Sequence, residues 1–295
     1  MKHDRTESER IGIMIKIIAD STCDLSKELL EKYDITILPL CVIMGENTYL
    51  DGVNIKKEEI FTWAERENSL PKTAAPSLEG AVEILSPFVK KNMDILFFGI
   101  SEEMSSSCNV VRLAGEYLDY KNIHIINSKN LSTGIGLQIL KAAEMALEGY
   151  NVQDIKAYIT ETMSEKVRAS FVVDTLTYLH MGGRCSSVAA LFGNVLQLKP
   201  MIAVKHGKMG VDKKYRGTNH KALLSYFKDL IPELLEADPE RIFITHSGCD
   251  DEIVEILYQE IEKLKVFKNI YVTQAGAVIS SHCGPKTLGI LYVEK

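Results

Sequence analysis

Met14-Ile15-Lys16-Ile17-Ile18-Ala19 is followed by the amphipathic stretch Leu25–Tyr33 and then by the apolar run Ile35-Thr36-Ile37-Leu38-Pro39-Leu40-Cys41-Val42-Ile43-Met44. A β-branched run, a helical stretch and a second apolar run within about thirty residues read as the start of a βαβ series. Downstream come helix Lys57–Asn68, helix Ser77–Lys90, strand Ile95–Ile100, helix Cys108–Tyr117, strand Ile123–Asn127 and helix Gly134–Glu148. Strands alternating with helices predict a mostly parallel sheet with helices on both faces, a Rossmann-like α/β arrangement.

After a helix near Asp154–Lys166 the pattern changes to more closely spaced strands: Ala169–Val173, Pro200–Lys205, Lys208–Lys213, Ile242–His246, Ile270–Ala275 and Leu288–Val293. Lys205–Lys208 suits a hairpin in which Gly207 takes positive φ. Helices Asn219–Leu235 and Asp251–Leu264 interrupt these strands, which predicts a mixed sheet with helices packed on it. The boundary falls near residue 165, giving two α/β domains, 14–165 and 166–295. The polar, aperiodic residues 1–13 read as a disordered leader. A length of 295 residues suits about two domains.

Lys plus Arg number 34 against 40 Asp plus Glu, a net charge of -6, so no long-range field favours nucleic acid. The six cysteines form no C-x-x-C pair and the amino terminus has no apolar signal core, so a cytoplasmic location is expected. Ile35–Met44, the longest apolar stretch, is about half of the ~20 residues that span a bilayer. Transient contact with a membrane surface stays compatible with this.

Ser132-Thr133-Gly134-Ile135-Gly136 opens a helix after a strand, but Ile139 stands where a dinucleotide fingerprint needs its last glycine. Neither a P-loop nor a G-x-S-x-G elbow occurs, and the seven histidines show no metal-ligand spacing. No catalytic residue, metal or cofactor is therefore assigned. Three segments hold more information. In Pro71–Ser77, Pro76 keeps Ala75 out of the helical region and leaves Thr73 extended with a free hydroxyl. Met104-Ser105-Ser106-Ser107 gathers hydroxyls and N–H groups where a helix begins, a seat for a carboxylate or phosphate as well as a plain N-cap. Ser280-Ser281-His282-Cys283-Gly284-Pro285 reads as a polar turn.

Taken together these segments resemble the DegV family. Asp20-Ser21-Thr22-Cys23-Asp24-Leu25 is similar to its D-S-T-x-D-L opening, Thr73–Ser77 to T-S-x-P-S, and Met104–Asn109 to L-S-G-T-Y-Q. Asp174–Leu179 with Gly182-Gly183-Arg184 resembles D-T-L-x-Y-L-x-x-G-G-R. Lys199-Pro200, Gly207, Arg216-Gly217 and His282–Pro285 match the later K-P, G, R-G and H-x-G-P elements. The matches run in order from residue 14 to the end.

The resemblance implies a DegV-like two-domain fold and a FakB-like carrier, the fatty acid-binding component of a bacterial fatty acid kinase system. It would enclose a long-chain fatty acid and present the carboxylate to a separate kinase subunit. Carried over by motif, Thr73, Ser105 and His282 bind the carboxylate, Ser106 and Ser107 stand behind them, and Lys213, Lys214 and Arg216 meet the kinase. Ala74 replaces the family's serine and Ser106 its glycine, which points to a tighter head-group pocket or a different ligand. Apolar residues around Val188–Leu198 are expected to wall a tunnel for the tail. Burying about fifteen methylenes at ~0.8 kcal/mol each yields on the order of 12 kcal/mol before ordering costs. Hydroxyl donors can then offset carboxylate desolvation without a buried cation. The rival reading is an enzyme, a small-molecule kinase or acyl hydrolase using His282 as base and a serine of Ser105–Ser107 as nucleophile. A third is an interaction module with a structural lipid.

Overall fold

The computed structural model describes residues 15–191 and 198–295. The expected leader, 1–13, and the middle of the expected tunnel wall, 192–197, lie outside the described residues.

Four parallel strands form the first sheet in the order β2-β1-β6-β7: β1 (Ile15–Asp20), β2 (Thr36–Leu38), β6 (Asp94–Gly99) and β7 (Ile123–Asn127). Side chains alternate across it. Ile18, Ile95 and Phe97 pack against α3 (Leu78–Val89) and α4 (Ser107–Tyr117), whereas Ile17, Ala19, Leu96 and Phe98 pack against α1 (Lys27–Lys32), α5 (Thr133–Leu147) and α6 (Val152–Ala157). Burial on both faces explains why these strands read as continuous apolar runs rather than alternating ones.

The expected single strand Ile35–Met44 is two. Pro39 has no N–H to give a ladder, and the chain turns there between β2 and β3 (Cys41–Met44). β3 is the centre of a small antiparallel sheet with β4 (Asn47–Leu50) and β5 (Lys72–Ala74), where Val42 pairs with Thr73. Helix α2 (Lys57–Glu67) lies beside it.

The second large sheet has the order β10-β9-β8-β13-β11-β12: β8 (Val167–Val172), β9 (Leu198–Lys205), β10 (Lys208–Arg216), β11 (Arg241–His246), β12 (Asn269–Gln274) and β13 (Leu288–Val293). Only β11 and β12 are parallel, so this sheet is mixed. The β9–β10 hairpin turns at His206 and Gly207, with φ of 51° and 80°. Helices α8 (Asn219–Leu235) and α9 (Asp251–Lys263) cover one face, and α5 packs against the other. One buried cluster thus runs from Ile17 and Phe98 through α5 to Phe171 and Leu291, sandwiched between the two large sheets.

Two short helices were invisible in the sequence: α7 (Thr177–Gly182) and α10 (Ala277–Cys283). Ser280–Cys283, read as a turn, is therefore helical, and His282 and Cys283 sit about 100° apart around the helix axis.

Candidate functional site

In the parallel sheet the chain leaves β1 towards β2 on one side and β6 towards β7 on the other, so the topological switch point lies between β1 and β6. The loops beyond the carboxyl ends of such strands form a natural ligand crevice. Here they are tied together. Asp20, at the end of β1, accepts the Thr22 hydroxyl at 2.5 Å through one oxygen and the Ile100 N–H at 2.8 Å through the other. The β9–β10 turn closes on the same loop, where the Ser101 hydroxyl donates to the Gly207 carbonyl at 2.7 Å.

Over this crevice sits a small cavity of about 50 Å³, walled by Leu40, Ile100, Met104, Leu131, Met209 and Ile279 and edged by Thr73, Ser105, Arg184 and His282. Three of these polar residues are those singled out from the sequence. Thr73 comes from β5, Ser105 from the loop after β6 and His282 from the last turn of α10, positions up to 209 residues apart. Thr73 Oγ1 and His282 Nε2 are 2.7 Å apart. Ser105 Oγ accepts the Ser107 N–H at 3.3 Å, which leaves its own hydroxyl hydrogen to donate elsewhere.

His282 is held neutral. Burial, and secondarily the positive charge of Arg184, pushes its pKa down to about 4. A neutral imidazole has one ring proton. Placed on Nε2, that proton goes to Thr73, whose hydroxyl hydrogen is then available to the cavity; placed on Nδ1, it leaves Thr73 to donate into the ring. Nδ1 is buried with no hydrogen-bond partner among the described residues, packed against Gly182 at the end of α7. A methyl group at Gly182 would overlap the ring, so the glycine is what lets α7 approach α10 this closely.

Arg184, an exposed residue that also lines the cavity, was not among the site residues named from the sequence. It follows Gly182 in the chain and donates through Nη1 to the Gly182 carbonyl at 2.8 Å, so the same close approach brings it beside His282. The G-G-R triplet held the signal. Ser106 is exposed, Ser107 is buried, and neither lines the cavity. Lys213, Lys214 and Arg216 are exposed on β10. They lie roughly 13–23 Å along the strand from the cavity residue Met209, at ~3.3 Å per residue. Lys213 pairs with Asp229 at 3.3 Å.

A second apolar cavity of about 30 Å³ continues between the large sheets, lined by Phe171, His246, Ala275, Gly289 and Leu291. Leu131, Ile279 and Cys283 line both cavities. A larger cleft of about 480 Å³ opens elsewhere, beside β8 and β9. Its charges are already matched, Lys129 with Glu165 at 2.8 Å and Lys205 with Asp212 at 2.5 Å, and it suits an acidic lipid poorly. Among the described residues no cluster of three or more His, Cys, Asp or Glu side chains is placed to hold a metal.

The family model described as "Uncharacterised protein, DegV family" matches residues 14–295. A DegV domain-containing protein of Clostridium perfringens is 36% identical over 284 residues, which is 95% of this chain and 99% of that protein. Among solved structures, a stearic acid-binding protein of Eubacterium ventriosum is 31% identical, with a TM-score of 0.83 over 96% of this chain and 99% of its own. A fatty acid-binding DegV family protein of Thermus thermophilus, 27% identical, superposes with a TM-score of 0.86 over 96% of this chain and 100% of its own.

Proposed function

This chain belongs to the DegV family, and from that premise we propose that it encloses a long-chain fatty acid and presents the carboxylate to a separate fatty acid kinase subunit. The observation that carries the reading is the convergence of Thr73, Ser105, His282 and Arg184 on the edge of an otherwise apolar cavity. Carboxylate oxygens accept from the Thr73 and Ser105 hydroxyls, and His282, with its proton on Nε2, fixes Thr73 as a donor outwards. Residues 14–165 act as the head-group domain, supplying Thr73 and Ser105; 166–295 supply His282 and Arg184. The exposed row Lys213, Lys214 and Arg216 is the surface offered to the kinase.

The tail follows the two cavities between the sheets. A buried cavity of ~150 Å³ takes one benzene, so cavities of about 50 and 30 Å³ fall short of a long acyl chain. Their shared wall therefore parts as the tail enters. All six cysteines are free thiols, which suits the reducing cytoplasm. No helix among the described residues is long and apolar enough to cross a membrane.

A serine hydrolase reading finds less support, because the Nε2 of His282 meets Thr73 rather than a serine. The test is to incubate the chain, a fatty acid, ATP and hydroxylamine with and without the fatty acid kinase subunit of the same source. Fatty acyl hydroxamate should form only with both proteins present. Formation by the chain alone would make it the enzyme, and no product with both would remove the presenting role.

A further inference from the structure

The two cavities meet at a constriction with two sides. Leu131 stands on one, in the loop before α5; Ile279 and Cys283 stand on the other, on α10. A single buried side chain ties both. Asp24 Oδ2 takes the Ser132 hydroxyl at 2.5 Å, directly after Leu131 in the chain, and Asp24 Oδ1 takes the Gly276 N–H at 2.8 Å, the N-cap of α10. Asp51 reinforces the second tie by accepting the Ala277 N–H at 2.8 Å.

The first tie holds an unfavourable backbone. Ser132 has φ 52° and ψ -144°, a region almost confined to glycine, which side chains occupy only where their surroundings impose it. Ser132 also lines the second cavity. The strain is located at the constriction, and the hydrogen bond between the Ser132 hydroxyl and Asp24 is the interaction on its side chain that opposes relaxation.

We propose that Asp24 is a positioning residue that latches the Leu131 loop to α10, and that the gap so fixed sets the preference of the protein for long over short acyl chains. The proposal rests on the carrier reading above and names what controls its chain-length range. Burial raises the Asp24 carboxyl to about 8 against the pull of the Ser132 and Gly276 hydrogen bonds, so the neutral acid prevails near pH 7. With its proton on Oδ2 the acid donates to Ser132 Oγ instead of accepting from it, and asparagine does the same through its amide while its carbonyl oxygen accepts from Gly276.

The experiment measures displacement of a fluorescent fatty acid by saturated acids of ten and eighteen carbons, and reads the ratio of the two dissociation constants. In the wild type the ratio favours the longer acid, whose tail passes the constriction. Asp24→Ala cuts both ties and should shrink the ratio by about five-fold or more, the effect of losing one buried hydrogen bond on one ligand only. Asp24→Asn should stay within about two-fold of the wild type. Ser132→Gly covers the case in which Asp24→Ala fails to fold. Glycine adopts the strained backbone freely, so this variant keeps the fold while losing the first tie, and its ratio should also shrink. An unchanged ratio in Asp24→Ala, or in Ser132→Gly if that is the variant that folds, overturns the latch and leaves the carrier reading standing. Failure of the wild type to bind either acid overturns the carrier reading and the latch with it.

Discussion

Gly182→Ala isolates the Thr73–His282 pair, because it places one methyl group against the Nδ1 edge of the His282 ring. The new Cβ would lie 3.4 Å from Cγ and Cε1 of His282 and nearer still to Nδ1, with no solvent-exposed end of a flexible chain to give way. Alanine at a helix end gains up to ~1 kcal/mol over glycine, whereas overpacking costs ~1–3 kcal/mol, so the net loss of stability should be no more than about 3 kcal/mol. Ligand affinity should suffer more clearly. Rotation of the ring breaks the 2.7 Å contact with Thr73, and an unanchored Thr73 hydroxyl costs about 1–3 kcal/mol of binding, or roughly 5- to 150-fold. Titration of a fluorescent fatty acid measures this, with urea unfolding as the control. A double-mutant cycle sharpens it: in a His282→Ala background the methyl meets no ring, so Gly182→Ala should cost little more there. Wild-type affinity in Gly182→Ala, or an equal loss in both backgrounds, would refute the reasoning.

Thr73→Val keeps the shape but removes the donor, and fatty acid affinity in the same titration should fall by about 1–3 kcal/mol. His282→Ala should lose more activity in the coupled kinase assay than affinity for the lipid, since it orients the carboxylate more than it grips the tail. Equal losses would make His282 a plain binding residue. Acid should weaken the lipid-free protein through His282: its pKa falls from 6.5 unfolded to about 4 folded, so its contribution is complete above pH 6.5 and is lost as pH drops towards 4. The loss is about 3 kcal/mol at most, read as a difference in urea midpoints between wild type and His282→Gln at pH 7 and pH 4.5. Asp24, whose pKa is raised, pulls the opposite way, losing stability as pH rises towards 8. Within the core, Thr245→Val should cost about 1–3 kcal/mol in urea unfolding, because Thr245 bridges the Thr133 and Thr273 hydroxyls at 2.7 and 3.0 Å.

The alternation of β-branched and amphipathic stretches made both large sheets legible, because strands buried on both faces leave long apolar runs. What stayed hidden depends on distant partners. Helix α10 has no side-chain cap of its own: Gly276 and Ala277 give their N–H groups to Asp24 and Asp51, residues 252 and 226 positions away, and no local pattern announces that. Its serines, Ser280 and Ser281, return their hydroxyls to the backbone carbonyls of Ala275 and Ala277, so a segment that reads as polar is internally satisfied. Thr73, Ser105 and His282, which line the cavity together, could be named from the sequence because each sits in a motif. Arg184 was passed over because its place at the cavity follows from the contact of Gly182 with His282, which is tertiary.

Whether the protein holds a fatty acid between its sheets is tested most directly by native mass spectrometry of gently purified material. The apolar burial that drives binding should keep the lipid in place through chromatography. The spectrum should show an adduct with the mass of a long-chain fatty acid, near one per chain, that denaturation releases. The contradicting result is a bare chain to which added fatty acid neither binds nor raises the melting temperature, as linkage requires of any ligand of the folded state.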